Sequence, residues 1–188
     1  DRPNSFFLGL EMKIIIIGNG GSGKSTLADK LGKKLNLPVT HLDTITFGKN
    51  WVRLDEREHL QKLTEILNSA SWIVEGWSYQ STIKTRLNAS EIVIYLAYSP
   101  WFSYLNAVKR HFQYTFRQNP YDPPDSWIWN KTIRMFKAMN IVRKVYEPEF
   151  KKWLEEYRDS KLIFVIKKRK ELNSLENILI NMKMQNNE

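Results

Sequence analysis

Ile14-Ile15-Ile16-Ile17 runs without a break into Gly18-Asn19-Gly20-Gly21-Ser22-Gly23-Lys24-Ser25, and leucines then recur at 27, 31 and 35. Consecutive β-branched residues with no polar alternation suit a strand covered on both faces, as in a parallel sheet. Leucines four apart suit one face of a helix. The four glycines between them must reverse the chain tightly. A buried strand, a glycine loop and an amphipathic helix joined this closely leave an α/β fold as the expectation, with residues 13–17 as its first strand and Lys24–Leu35 as its first helix.

The loop has the spacing GxxxxGK(S/T), and each part has a physical role. Glycines let backbone N–H groups converge where a β-carbon would intrude. The following helix turns its N-terminus to the same point and favours an anion there. Lys24 is positioned for β- and γ-phosphate oxygens, Ser25 for a magnesium ion and Thr26 for a nearer phosphate. Gly18, Gly20, Gly21, Ser22, Gly23, Lys24, Ser25 and Thr26 are therefore expected to hold ATP or GTP with Mg²⁺.

Strand and helix alternate through the rest of the chain, as in a sheet with helices on both faces. Residues 39–42, Trp72–Glu75, 91–97 and Leu162–Ile166 read as further strands. Residues 54–68, 81–87, 100–117, 129–145, 147–157 and 174–182 read as helices, the first with Leu60, Leu63 and Leu67 as its apolar stripe. Pro100 and Pro148 sit in first turns, where the missing N–H costs nothing. Pro120, Pro123 and Pro124 make 119–126 a loop. Residues 1–11 are expected to be a vector-derived leader, with Met12 as the natural start and 12–188 as one domain.

In an open α/β sheet, ligands meet the carboxyl ends of strands. Two acids stand there. Asp43 is expected to orient or deprotonate an attacking hydroxyl, or to bind Mg²⁺ through water; the alternative is a turn aspartate. Glu75 is expected to bind a metal-held water, with an ion pair as the alternative. His41, on the same face as Asp43, meets the substrate or is a satisfied strand-end histidine. Arg86 is expected to reach an acceptor phosphate, and Trp51 and Trp77 to line the substrate pocket. Arg110, Arg117, Arg134 and Arg143 bracket the proline-bearing loop as a mobile cationic lid for phosphoryl transfer. Tyr114, Phe116, Tyr121, Trp127, Trp129 and Phe136 crowd the same region, either as the lid's own core or as stacking surfaces.

The 188-residue chain has no cysteine, which excludes disulfides, thiolate metal sites and cysteine nucleophiles and agrees with a cytoplasmic location. No apolar run approaches the roughly 20 residues of a membrane helix. The net charge of +9 fits nucleic acid, an anionic surface or phosphorylated small molecules. Its densest run, Lys167-Lys168-Arg169-Lys170, reads as a solvated strand end.

These residues resemble the bacterial DNA topology modulation (FlaR-type) proteins, an adenylate-kinase-like branch of the P-loop kinases, from Met12 almost to the end. The telling stretches are His41-Leu42-Asp43 with Trp51 following, and Trp72-Ile73-Val74-Glu75-Gly76-Trp77-Ser78-Tyr79 with Thr82 and then Arg86-Leu87. Strand 92–96 before Pro100, and Arg110 beyond it, also fit. Where the family turn carries Asp-Gly-Asn-Tyr, this chain has Glu75 for the aspartate and Trp77 for the asparagine. The resemblance implies a five-stranded parallel sheet in the order 2-3-1-4-5 with a lid at about 111–145, and a substrate site that includes Gly76 and Tyr79. The expected activity is phosphoryl transfer to a small acceptor, a nucleotide or nucleoside, by a monomer or homodimer. A nucleotide-regulated DNA-binding protein and an ATPase switch with a protein partner are the alternatives.

Overall fold

The computed structural model describes residues 12–114 and 128–185. Residues 1–11, Arg117, Phe116, Tyr121, Trp127 and the loop 119–126 lie outside the described residues, as do the side chains of Trp129 and Arg134. In chain order the elements are β1 (Lys13–Gly18), α1 (Lys24–Leu35), β2 (Val39–His41), α2 (Leu42–Thr46), α3 (Glu56–Leu67), β3 (Trp72–Glu75), α4 (Ile83–Ala89) and β4 (Ile92–Leu96). Then come α5 (Pro100–Gln113), α6 (Ile128–Ile141), α7 (Glu147–Glu156), β5 (Leu162–Ile166) and α8 (Glu171–Gln185). Among the described residues no helix is long and apolar enough to cross a membrane.

All five strands are parallel, in the order β2-β3-β1-β4-β5. The central strand explains the isoleucine run. Ile15 and Ile17 face one core, with Leu63 of α3, Ile83 and Leu87 of α4, and Phe150 and Leu154 of α7. Ile14 and Ile16 face the other, with Leu27, Leu31 and Leu35 of α1 and Leu175 and Leu179 of α8. All four isoleucines are fully buried, each worth about 1.5–3 kcal/mol by transfer. A strand with helices on both faces has no solvent side on which to alternate.

The bounds expected for Lys24–Leu35, Trp72–Glu75 and Leu162–Ile166 recur in the structure. Other elements differ for local reasons. Strand β2 stops at His41 because Leu42–Thr46 closes a helical turn, with Thr46 Oγ1 donating to the Leu42 carbonyl at 2.6 Å. Helix α3 starts later than residue 54 because Asp55 caps it, accepting from the Arg57 N–H at 2.8 Å. Its buried face is His59, Leu63 and Leu67, while Leu60 is 38% exposed. Helix α8 starts before 174 because the Glu171 carboxylate collects the backbone N–H groups of Lys167 and Lys168. The helix expected over 129–145 ends as a π-helical turn, Val142–Tyr146, that runs on into α7.

The sheet order places β1 between β3 and β4, so the chain reverses direction across the sheet beside the glycine loop. The crevice at such a switch point is where open α/β sheets bind ligands.

Candidate functional site

The glycine loop is held from three sides. Trp77 Nε1 donates to the Gly18 carbonyl at 2.8 Å. Asn19 accepts from the Gly20 N–H at 2.7 Å and donates through Nδ2 to the Met139 carbonyl at 3.1 Å. Asn106 of α5 donates to the Gly21 carbonyl at 3.2 Å. Gly21 has φ +72°, and a β-carbon there would stand 2.3 Å from the Ser103 carbonyl oxygen, so only glycine fits under α5. Gly23, at φ +82°, is the N-cap of α1, with open space around it and no side-chain cap on the helix. The first turn of α1 therefore offers its N–H groups outward. Ser22 Oγ is buried beside them without a hydrogen-bond partner. The cradle is shaped for an anion.

Behind the cradle, Ser25 Oγ donates to Glu75 Oε1 at 2.9 Å. The same oxygen lies 2.8 Å from His41 Nδ1, and His41 Nε2 lies 3.0 Å from Asp29 Oδ1 on α1. Glu75 is 4% exposed, and its second oxygen, Oε2, has no partner. Burial opposes ionisation of Glu75, yet the His41 hydrogen bond, the Lys24 charge and the Ser25 hydroxyl together hold its carboxyl below the ordinary range. The Glu75 bond likewise raises the His41 pKa, against burial and with help from Asp29. An ionised, buried carboxylate with one free oxygen beside a serine hydroxyl fits Mg²⁺ held through water, the mode in which this ion pairs one or two carboxylates with substrate phosphates.

Asp43 sits in the first turn of α2, half-buried. Burial raises its pKa; the charges of Lys24, Arg110 and His41 pull the other way, and Glu75 adds to the rise. Arg110, on α5, is held down by burial and supported by Asp43 and Glu75. The charges of Lys24, Asp43, Glu75 and Arg110, from four separate elements, thus act on one another; Lys24 and Arg110 stand on the open cleft beside the loop, and Asp43 and Glu75 are not on its wall. Arg110 Nη2 also meets Met135 Sδ of α6 at 3.1 Å.

A cleft of about 870 Å³ opens on the loop, lined by residues 21–27, by Tyr98, Phe102, Asn106, Lys109 and Arg110 around α5, and by Arg169, Lys170 and Leu172 after β5. Arg169 and Lys170 are exposed just past β5, as expected of a solvated strand end, and they also form part of the cleft wall, because they leave the same carboxyl edge of the sheet as the glycine loop. Their position just past a strand end was the signal. Tyr98, just past β4, carried the same signal; Asn106 and Lys109 did not, since only the packing of α5 over the loop brings them to the cleft.

Several expected site residues stand elsewhere. Arg86 is fully buried; its guanidinium donates to the carbonyls of Thr82 (3.3 Å), Gly76 (2.8 Å) and Trp77 (2.6 Å). It braces the turn after β3 and is not presented to an acceptor phosphate. Trp77 is 8% exposed and packs on Tyr146 and Phe150, so it supports the loop from the core. Tyr79 donates to the Leu54 carbonyl at 2.6 Å, and Gly76, at φ +115°, makes the turn that leaves β3. Trp51 packs on Phe47, with ring centroids 5.2 Å apart. None of these residues lines the cleft. Arg143 is exposed in the π-helical turn. Replacing Arg86 by Met keeps the volume but orphans two buried carbonyls, those of Gly76 and Trp77, at roughly 1–3 kcal/mol each. A loss of about 3–5 kcal/mol in urea unfolding is the expected result, with nucleotide affinity retained below the transition.

No protein-family model matches the chain, and no curated protein sequence does. Solved structures do. A shikimate kinase from Acinetobacter baumannii, in complex with shikimate, aligns over 98% of both chains at 14% identity with a TM-score of 0.55. A structure from Chloroflexus aurantiacus, described provisionally as a kinase, aligns over 91% of this chain and 98% of that one at 15% identity with a TM-score of 0.51. At such identities the likeness concerns the fold. Together with the parallel order β2-β3-β1-β4-β5 and the glycine loop between β1 and α1, it establishes that the chain has the three-layer α/β fold of the P-loop kinases.

Proposed function

We propose that the chain transfers the γ-phosphoryl group of ATP or GTP to a hydroxyl of a small acceptor, a nucleoside or nucleotide. The observation that carries this reading is the convergence of Lys24, Asp43, Glu75 and Arg110 beside an anion-shaped cradle. A phosphate-binding loop alone would serve a switch equally well. A carboxylate whose pKa is raised, set against the lysine that meets the γ-phosphate, is what a transfer reaction requires.

The acceptor oxygen attacks the γ-phosphorus, the bond from that phosphorus to the β,γ-bridging oxygen breaks, and the acceptor's proton passes to Asp43. The diphosphate leaves on the loop. Lys24, Arg110 and the N–H groups of the first turn of α1 face the oxygens on which charge spreads. Mg²⁺, when bound, neutralises β- and γ-phosphate charge; Ser25 would hold it directly and Glu75 through water. Of the lid expected over 111–145, the described part that meets the loop is α6, whose Met139 carbonyl accepts from Asn19 and whose Met135 meets Arg110. On the acceptor side Arg86 is already committed to the backbone. Arg53, whose guanidinium lies 4.2 Å over the Tyr79 ring, is one cation that would meet an acceptor's phosphate on that side.

The FlaR-type resemblance suggests an effect on DNA topology, and the +9 charge is what supports it. Two cations of the most basic run, Arg169 and Lys170, face the donor cleft, where a polyphosphate accounts for them. That favours a nucleotide site over a nucleic-acid surface; against a partner-driven ATPase stands the Asp43 carboxylate beside Lys24. The test is a panel of nucleosides, nucleoside monophosphates and other small hydroxyl compounds incubated with γ-labelled ATP and Mg²⁺. Label transfer to one class is the expected result. Release of free phosphate at the same rate with and without every acceptor would overturn the reading.

A further inference from the structure

His41 and Glu75 are register partners at the carboxyl ends of the neighbouring strands β2 and β3. Both ring nitrogens of His41 face a carboxylate oxygen, Glu75 on one side and Asp29 on the other. With a carboxylate oxygen within 3.0 Å of each ring nitrogen, the ring plane is held at both ends. Glu75 in turn receives two donors, His41 Nδ1 and Ser25 Oγ, on the single oxygen Oε1, and none on Oε2. This asymmetry orients the carboxylate: one oxygen is tied to His41 and to the serine that would meet the metal, and the other is buried without a partner. Glutamate has one more side-chain torsion than aspartate. A Glu at this strand end therefore needs a constraint that a shorter acid does not.

We propose that His41, anchored by Asp29, is a positioning residue that fixes the rotation of Glu75 and so sets the affinity for the metal–nucleotide complex without touching the nucleotide or the acceptor. The proposal rests on the nucleotide reading above and extends it with a role for two residues, one of them, Asp29, outside the loop and strand-end motifs. It differs from a substrate contact for His41, which would act on the acceptor. It also differs from a purely structural tie between α1 and β2, which would act on every ligand alike.

Calorimetry with intact protein separates these cases by comparing ATP with Mg²⁺ against ATP with EDTA, for wild type, His41→Ala, His41→Asn and Asp29→Asn. Loss of an outer-shell partner typically costs about 10- to 100-fold in metal affinity, so His41→Ala should weaken Mg²⁺–ATP binding by that factor and change metal-free ATP binding by less than about twofold. His41→Asn, whose amide can still donate to Glu75, should lose less, and Asp29→Asn should fall between wild type and His41→Ala. If His41→Ala does not fold, the two conservative variants carry the same comparison. Equal losses with and without Mg²⁺, or an unchanged Mg²⁺ gain in both conservative variants, would overturn the positioning role while leaving nucleotide binding in place. A rise in acceptor KM with the Mg²⁺ gain intact would return His41 to the acceptor. Wild-type protein that binds no nucleotide under either condition would overturn the nucleotide reading itself, and this proposal with it.

Discussion

Lys24→Ala is expected to reduce phosphoryl transfer by about 10³-fold or more with the fold intact. Removing a single neutral donor aimed at developing charge typically costs about 10²–10³ in rate. Lys24 offers a full charge at the point where the loop, the N-terminus of α1 and Glu75 meet, so its removal belongs at or above the top of that range. Its side chain is half-buried at the cleft and absent from both apolar cores. Truncation removes a charge that helps hold the buried Glu75 ionised, so a loss of stability of about 1 kcal/mol, with no loss of fold, is expected. Single-turnover transfer from labelled ATP, measured beside urea unfolding, checks both halves. Lys24→Arg should recover only part of the rate, because a planar fork does not replace a point charge. Transfer by Lys24→Ala within tenfold of wild type would be incompatible with the mechanism.

The second large effect falls on Asp43. General-base catalysis is worth about 10²–10⁴, and Asp43→Asn should lose a factor in that range while retaining nucleotide affinity. The pH dependence has a definite sign. Burial raises the Asp43 pKa, with Glu75 adding to the rise and Lys24, Arg110 and His41 opposing it. A base must be ionised, so the rate should climb as pH rises through this raised value, with an acid limb displaced upward from that of an ordinary carboxylate. Stability runs the other way. A carboxyl whose folded pKa is raised contributes stability that is complete below its unfolded pKa and is lost as pH rises through the folded one. Asn at this position avoids that loss, so Asp43→Asn should melt at or above the wild-type temperature at neutral pH while its rate falls. A variant that lost stability and activity together would point to a turn-forming aspartate instead.

The chain's local signals were legible wherever they depended on neighbours in sequence. The isoleucine run, the glycine spacing and the leucine period marked β1, the loop and α1, because each is a property of a few consecutive residues and the faces they must bury. The strand-end rule singled out Asp43 and Glu75 for the same reason. It did not reach Arg169 and Lys170, which obey it equally well, since a run of four cations reads first as a solvated surface. In α3 the period placed Leu60 on the buried face, yet the Asp55 cap and the packing against α2 put His59 there instead.

What the sequence by itself determined, then, was the class of fold and the phosphate cradle: both follow from residue patterns shorter than one strand and one helix. Tertiary structure alone decided which side chains share the site. Arg86 and Trp77 read as ligand-facing from their place after a strand, but buried backbone carbonyls at Gly18, Gly76 and Trp77 need donors, and the fold committed these two side chains to them. His41, Asp29, Ser25 and Glu75 came together because α1 crosses behind the ends of β2 and β3. Hydrogen bonds between residues 12 to 50 positions apart are set by how elements pack, which no local pattern encodes.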